Sequence, residues 1–465
     1  MMNFTALLGI TICSFFIISC SQVNPPSPPF DLNQEMDFLF QHKDNIPTET
    51  TGLQLVIIKN GNIIYENAKG SARITGKNKT PLTNEHKVRV ASISKFVLTM
   101  AFMTLVEEEK VDLDADISNY INFELRNPHF PNRIITPRQV LSHTSSIRDA
   151  SYYYMGPNED FQDFFIIGTN PRSAEHFEQG KHYASAPDHG PEDYFTYSNL
   201  NFGIISAIVE NVSGQRMDQF VKEKIFTPLN LQSSFNVCDL YENSFSKLAT
   251  IYRKGNGGET WNPEGPWIGQ VDDNSISCFY EGEKYQRGQT PDFTALNNYR
   301  IGKNPTLFSP QGGLRASAKD LAVIMKVLLN DGKYGSKQII SKSSIDQMMS
   351  VTWQYDDLKN NGHTGGEALL GDPKAAGMMT RYGLSTHIIN LKDWGLSEHS
   401  RILFGHLGSA YGLQGQFWFD PITKDGFVAL ITGLGDDPDI PDNTIPLFAI
   451  EETVLRLGLK GMDNY

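Results

Sequence analysis

The stretch Lys87–Met100, KVRVASISKFVLTM, sets two serines and a lysine between a short polar lead-in and a long apolar run. Continued as KFVLTMAFMTLVEEEKV, it carries Phe96, Met100, Met103 and Leu105-Val106 at near-helical spacing, which predicts a helix with one buried face. Ser92 and Lys95 lie three residues apart, so they share a face if that helix begins here. A serine hydroxyl becomes a nucleophile only when a base takes its proton. A lysine in a dry cleft near another cation loses affinity for its own proton and can be that base. A helix start adds unpaired N–H groups and the positive dipole end, which favour a developing oxyanion. The spacing alone is weak, since it also arises on ordinary polar turns. A second copy, Ser244 to Lys247, leads only into a short stretch ending KGNGG. Ser94 has Val97 at that spacing and reads as helix surface or packing.

The flanks of this helix set the fold class. LQLVIIKNGNIIYENAKG (Leu53–Gly70) places two β-branched runs around Asn60-Gly61, a strong hairpin signal. LNFGIISAIVENVSG (Leu200–Gly214) and SAKDLAVIMKVLLNDG (Ser317–Gly332) read as buried helices, each closed by a glycine. Near the end, LQGQFWFD and DGFVALITG are strand-like runs joined by PITKDG, a second hairpin. The tail places Leu447, Ile450, Val454 and Leu457 on one stripe of an amphipathic helix opened by Asp442 to Thr444. Strands at both ends with helices between predict an α/β (α+β) architecture: one sheet completed by the two termini, with an all-α subdomain inserted. The sheet lobe would take about residues 35–90 and 300–460, and the helical lobe about 91–300. Arg253–Lys303 and Trp353–Met378, rich in Gly, Asn and Asp, read as long loop insertions.

Hydrophobic residues make up 40% and charged residues 20% of the 465, the balance of a folded protein. A formal net charge of −13 and the absence of any Lys/Arg run argue against nucleic acid as a partner. The N-terminal run FTALLGITICSFFIIS (Phe4–Ser19) is short for a membrane span and suits a signal-peptide core over residues 1–19. IISC (Ile17–Cys20) looks like a bacterial lipobox, which makes Cys20 the expected lipidation site and the membrane a partner through an N-terminal lipid anchor. MMNF, however, holds no Lys or Arg. Residues 20–34 include the Pro-rich SQVNPPSPPF, a semi-rigid tether. After it only Cys238 and Cys278 remain, readable as a disulfide or as two buried thiols.

Two further motifs follow Ser92 in order. DYFTYSNLNFG supplies Tyr197-Ser198-Asn199 just ahead of a buried helix, and RILFGHLGSAYGLQGQFWFD supplies His406-Leu407-Gly408 just before the C-terminal hairpin. With S-x-x-K, Y-x-N and a K/H/W-x-G-type third motif in that order, the chain resembles the serine β-lactamase and penicillin-binding-protein superfamily, in its class C-like branch. ITPRQVLSHTSSI (Ile135–Ile147), Val209–Leu231 and Ser309–Gly332 are similar to that branch too, and the resemblance spans roughly residues 35–460.

The resemblance implies an acyl-enzyme serine hydrolase acting on a small-molecule or peptidyl amide or ester, with no metal or other cofactor. Ser92 would be acylated and Lys95 would keep its hydroxyl poised. Tyr197 would act as general base or shuttle the proton to the leaving group, and which of the two takes the proton stays open. Asn199 would offer its amide to the substrate or to Lys95. Gly408 would let substrate approach the strand, and the N–H groups of Ser92 and Ser409 would form the oxyanion hole. His406 stands where class C β-lactamases usually carry lysine, which tilts the expectation towards a D-Ala-D-Ala carboxypeptidase-like peptidase or an esterase and away from a dedicated β-lactamase. HTSS at His143–Ser146 replaces the usual HTSG, and His143 reads as structural. SYYYM (Ser151–Met155) reads as packing under a long loop ahead of a cleft rim. The acidic GDDPDIPD (Gly435–Asp442) lacks a calcium-ligand spacing and reads as a solvated loop. No G-x-S-x-G, H-E-x-x-H or C-x-x-C occurs, which removes α/β-hydrolases and the common zinc hydrolases.

Overall fold

Nine antiparallel strands from the two ends of the chain form the central sheet of the computed structural model. Described are residues 30–41, 50–156, 159–168, 172–240, 247–255, 262, 264–273, 299–364, 377, 379–434, 447 and 449–464. Two compact units divide the chain, Met1–Asp31 and Leu32–Tyr465, and the elements below belong to the second. The strands are β1 (Gly52–Lys59), β2 (Asn62–Thr75), β3 (Asn78–Pro81), β4 (Trp353–Gln354), β5 (Arg381–Tyr382), β6 (His387–Asn390), β7 (Ile402–Ala410), β8 (Leu413–Asp420) and β9 (Asp425–Thr432). Their order across the sheet is β4-β5-β6-β7-β8-β9-β1-β2-β3. The longer helices are α1 (Leu32–Gln41), α2 (Ile93–Glu107), α3 (Leu200–Ser213), α4 (Ala318–Leu329) and α5 (Ala449–Asn464).

Asn60 and Gly61 turn β1 into β2 with φ of 49° and 76°, the double positive-φ geometry that Asn-Gly tolerates and most residues do not. β1 then pairs with β9 from Gly52↔Thr432 to Ile58↔Gly426, so the first and last strands close the sheet. β8 and β9 are buried at every residue, because α4 and α5 pack on β9 and α2 on β8. Leu447, Ile450, Val454 and Leu457 are all buried, as the C-terminal stripe predicts. α3 ends at Gly214 with φ 69°, and α4 opens on a reciprocal Ser317/Asp320 capping box.

α2 departs from its predicted single buried face. Every residue from Ile93 to Leu105 is buried. It packs against β7 and β8, against α3, and against the Met217–Val221 and Lys342–Met349 helices. Enclosure on all sides requires an apolar circumference, and the run of Phe, Val, Leu, Met and Ala supplies it. Ser94 is likewise interior, and its Oγ accepts the Leu314 N–H at 3.1 Å. Trp353–Gln354, expected within a loop, forms the edge strand β4 instead, held by Trp353 stacked on Phe195 with centroids 4.2 Å apart. The start of the other expected loop is a small hairpin, Ile251–Lys254 against Trp267–Val271. Cys20, Cys278, the Cys238 side chain, Ser244, Asp442–Thr444 and the 435–442 acidic run lie outside the described residues. Among the described residues no helix is long and apolar enough to cross a membrane.

Candidate active site

Ser92 stands immediately before the first residue of α2, with backbone already helical (φ −66°, ψ −11°) and no capping hydrogen bond from its side chain. Serines at helix starts ordinarily cap the second or third N–H, so this hydroxyl is held back from that use. Ala91, just before it, has φ +48°, a left-handed conformation costing about 1–2 kcal/mol that a packed scaffold has to impose. The Ser92 N–H meets no acceptor among the described residues and remains available to a substrate oxygen.

Lys95, one turn on, is fully buried. Its Nζ lies 2.9 Å from Ser92 Oγ, 2.8 Å from Asn199 Oδ1 and 2.9 Å from the Gln311 carbonyl oxygen. Asn199 and Gln311 can only accept here, so two N–H bonds are fixed and the third direction of the nitrogen points at Ser92. As ammonium Lys95 donates to Oγ, and as amine it turns a lone pair on the hydroxyl proton. That is the geometry of proton exchange. The aromatic faces of Tyr197 and Phe202 lie 4.8 and 5.5 Å from Nζ.

Asn199 owes its orientation to a residue that sequence reasoning missed. The Asp149 carboxylate accepts Asn199 N–H (2.8 Å), Asn199 Nδ2 (3.0 Å), Leu200 N–H (2.8 Å) and the Ser198 hydroxyl (2.9 Å). It caps α3 and complements the positive end of that helix. With its amide nitrogen on Asp149, Asn199 presents its oxygen to Lys95. His143 braces the same turn. Its Nδ1 accepts Ser198 N–H at 3.1 Å, and its ring lies 4.4 Å from the half-buried Tyr197 ring.

His406 points inward from β7 and is fully buried. Its Nδ1 sits 2.5 Å from the Leu407 carbonyl, which only accepts, so Nδ1 carries the proton and Nε2 accepts from Tyr382 OH at 3.2 Å. Its centroid is 4.2 Å from His387 and 6.4 Å from Tyr197. Burial holds the His406 pKa well below the usual range, with His387 and Lys95 adding to the shift. His143 is lowered well below that range by burial and then Lys95, and His387 is lowered to about 3 by the same causes. All three rings are neutral at pH 7. Gly408 has a further use beside the substrate: a Cβ there would stand 2.5 Å from the Val90 carbonyl and 3.5 Å from Ile93 N. The bare strand is thereby seated on the start of α2, which brings exposed Ser409 beside Ser92. β6 pairs with β7 only as far as Gly405, so among the described residues Leu407–Ala410 have no neighbouring strand on that side.

Ser92, Asn199 and Ser409 open onto one cleft of about 730 Å³. Lys95, His406 and Gly408 are buried beside it and Tyr197 is half-buried. Tyr153, Tyr154 and Met155 line it, so the SYYYM segment forms the rim as well as packing. Among the described residues no group of three or more His, Cys, Asp or Glu is placed to hold a metal ion. Asp149, Tyr382 and His387 carried no local signal: each acts across a gap of many residues, and none belongs to a motif or a periodic stripe, while Gln311 lies in the family-like stretch Ser309–Gly332 without being singled out there.

Known proteins share this architecture. Protein flp of Staphylococcus aureus (strain MRSA252) is 24% identical over 204 residues, covering 43% of this chain and 38% of that protein. A solved octameric penicillin-binding protein homologue from Pyrococcus abyssi superposes with a TM-score of 0.59 at 21% identity, covering 92% of this chain and 78% of that one. The D-amino acid amidase of Ochrobactrum anthropi SV3 gives 0.59 at 16% identity, covering 94% and 99%. The Beta-lactamase family profile matches residues 45–449, across the sheet, α2 and all three motifs, and the chain belongs to that family.

Proposed function

We propose that the chain is a serine hydrolase of the class C-like branch that opens amides or esters through an acyl-enzyme on Ser92. The observation that carries this reading is Lys95: fully buried, held by Asn199 and Gln311, and aimed at Ser92 Oγ. Ser92 Oγ attacks the acyl carbon and its proton passes to Lys95 or Tyr197. The N–H groups of Ser92 and Ser409 receive the oxyanion, and the tetrahedral adduct collapses as the leaving group takes the proton. Water then repeats the sequence on the ester and frees Ser92.

Substrates are D-amino-acid-containing peptides, in the manner of a D-Ala-D-Ala carboxypeptidase, or short esters. Support comes from His406, whose neutral, inward ring offers no cation of the kind the third-motif lysine gives a β-lactamase. The likeness of fold to a D-amino acid amidase agrees with it. The chain would work at the cell envelope, tethered by a lipid on Cys20. A fluorophosphonate or reporter penicillin should label one serine, and Ser92→Ala should abolish the labelling. Labelling that survives the substitution would refute the assignment. Acylation without turnover of any D-Ala-D-Ala peptide, D-amino amide, ester or cephalosporin would favour a penicillin-binding sensor instead.

A further inference from the structure

The cleft beside Ser92 has a cationic end that the chemistry above does not use. Arg89 lies on a two-residue strand, Val88–Arg89, paired with Arg315–Ala316 so that Arg89 faces Arg315 across the ladder. Two adjacent guanidiniums repel, and among the described residues only Arg315 is ion-paired. Arg315 grips Asp272 through Nε (3.0 Å) and a terminal nitrogen (2.9 Å), and gives its other terminal nitrogen to the Gly313 carbonyl at 2.7 Å. Arg89 gives Nε to the Gly312 carbonyl at 2.9 Å and rests its Cζ 5.0 Å from the Tyr411 ring centroid. Among the described residues no carboxylate lies within ion-pair distance of it, and its two terminal nitrogens make no protein hydrogen bond. Arg89 is half-buried and lines the cleft that holds Ser92 and Ser409. Burial first, then the Arg315 charge, push its pKa down from the ordinary guanidinium range, while Tyr411, Asp272 and Tyr153 oppose that shift.

A second guanidinium shares this end of the cleft. Arg253 lines it too, and its stem abuts the turn after β7, where a Cβ on Gly412 would come within 3.0 Å of Arg253 Cγ. Arg89 and Arg253 therefore flank the Tyr411-Gly412 turn, two to three residues beyond Ser409. A guanidinium placed as Arg89 is, in a partly dry cleft, is stabilised by a planar, two-oxygen anion.

We propose that the Arg89 end of the cleft is a subsite for a carboxylate carried on the acyl portion of the substrate. The side of the substrate follows from the proton path. Along β7 the two ends fall on either side of Ser409: Tyr197, able to protonate a leaving group, lies by His406 (centroids 6.4 Å apart) three residues before it, and Arg89 lies by Tyr411 two residues after it. The leaving group faces Tyr197, and the acyl portion extends towards Arg89 and Tyr411. This subsite rests on the acyl-enzyme reading of Ser92.

The test compares p-nitrophenyl hydrogen glutarate with p-nitrophenyl methyl glutarate, esters that differ in one acyl-side charge. The wild-type chain should favour the carboxylate ester in kcat/KM. Arg89→Gln should cut that preference roughly 10- to 100-fold, mostly through KM, as loss of a charge-assisted pair does. Arg253→Gln should cut it less, and Arg89→Lys should keep part of it. Fluorophosphonate labelling of Ser92 in each sample reports an intact site. Independently of any variant, glutarate should compete in the wild type while glutaramide does not, and added salt should weaken that competition. Turnover of the methyl ester with no charge preference, no competition by glutarate, or a preference that survives both glutamine variants overturns the subsite alone. Absence of both ester turnover and Ser92 labelling overturns the acyl-enzyme reading and the subsite with it.

Discussion

Asp149→Ala should disable acylation through Asn199 without touching the reacting atoms. The substitution removes four hydrogen bonds from one partly exposed carboxylate: two from Asn199, one from Leu200 N–H and one from the Ser198 hydroxyl. Each bond to a charged acceptor contributes about 1.5–3 kcal/mol, but water reaching the vacated, half-open site recovers a large part. A net loss of about 3–5 kcal/mol in folding stability follows, within what a domain stable by 5–15 kcal/mol survives. Asn199, freed from Asp149, no longer has its oxygen held on Lys95. An amide turned the other way sets N–H against N–H and pulls the Lys95 nitrogen off Ser92. A loss of about 100-fold in acylation rate corresponds to about 2.7 kcal/mol, the scale of one misplaced site dipole. Asp149→Asn should be milder. Its amide nitrogen can face Ser198, whose hydroxyl can accept, so only the Leu200 N–H is stranded and Asn199 stays oriented. Single-turnover fluorophosphonate acylation and urea unfolding should therefore both rank wild type above Asp149→Asn above Asp149→Ala. Because Asp149 acts on acylation through Asn199, adding Asp149→Ala to Asn199→Ala should slow acylation little further, while the stability loss persists. Acylation at the wild-type rate in Asp149→Ala, or a full second loss in the double variant, would refute this chain of reasoning.

Gly408→Ala should push β7 off the start of α2, since its Cβ would sit 2.5 Å from the Val90 carbonyl; about 1–3 kcal/mol of stability and most acylation should go together in unfolding and labelling assays. Tyr382→Phe leaves His406 Nε2 without its donor and should cost about 1–2 kcal/mol by urea titration, with kcat/KM falling more than the binding of a competitive inhibitor. Glu210, buried on α3 and receiving bonds from Tyr299 OH, Gly302 N–H and Met217 N–H, has its pKa raised by burial to about 7. The folded chain then binds an extra proton between the ordinary carboxylate range and pH 7. The resulting stabilisation is complete below that range and is lost as pH rises through 7, about 3 kcal/mol between pH 4.5 and 8. Glu210→Gln should flatten that part of the pH profile in denaturant titrations, and an unchanged profile would contradict it. Mass spectrometry of the mature N-terminus should find a lipid on Cys20, against which an unprocessed Met1 would count.

The outline of this molecule was legible wherever the signal was local. Asn60-Gly61 and the Gly214 helix stop are decided by the backbone needs of a few neighbouring residues, and both were readable as written. The three motifs were readable because reacting groups tolerate few residue types. What escaped acts between distant segments. Asp149 caps a helix that starts 51 residues later, so no N-cap pattern reveals it. His387 and Tyr382 reach His406 through strand pairing, His387↔Gly405 and Tyr382↔His387, and register is a property of the assembled sheet. The burial of α2 on every side was misread for a related reason. Its composition is apolar all round, but spacing alone shows only that one face is buried; the number of partners depends on how many elements pack around it.

That enclosure has a chemical consequence. An ammonium at Lys95 is costly to bury, and carbonyl oxygens of Asn199 and Gln311 and the Tyr197 ring face offset that cost. A carboxylate in direct contact would lock the proton on the amine and take away its use as a base. Asp149 is instead kept one residue away and acts through the Asn199 amide, so it orients an acceptor without bonding the lysine. The histidines obey the same constraint. Were His406 or His387 to charge at neutral pH, it would add a cation beside Lys95, and burial keeps both neutral. Ser92 thus faces a lysine nitrogen that the Asn199 and Gln311 carbonyl oxygens orient, a setting in which its proton can be given and taken back.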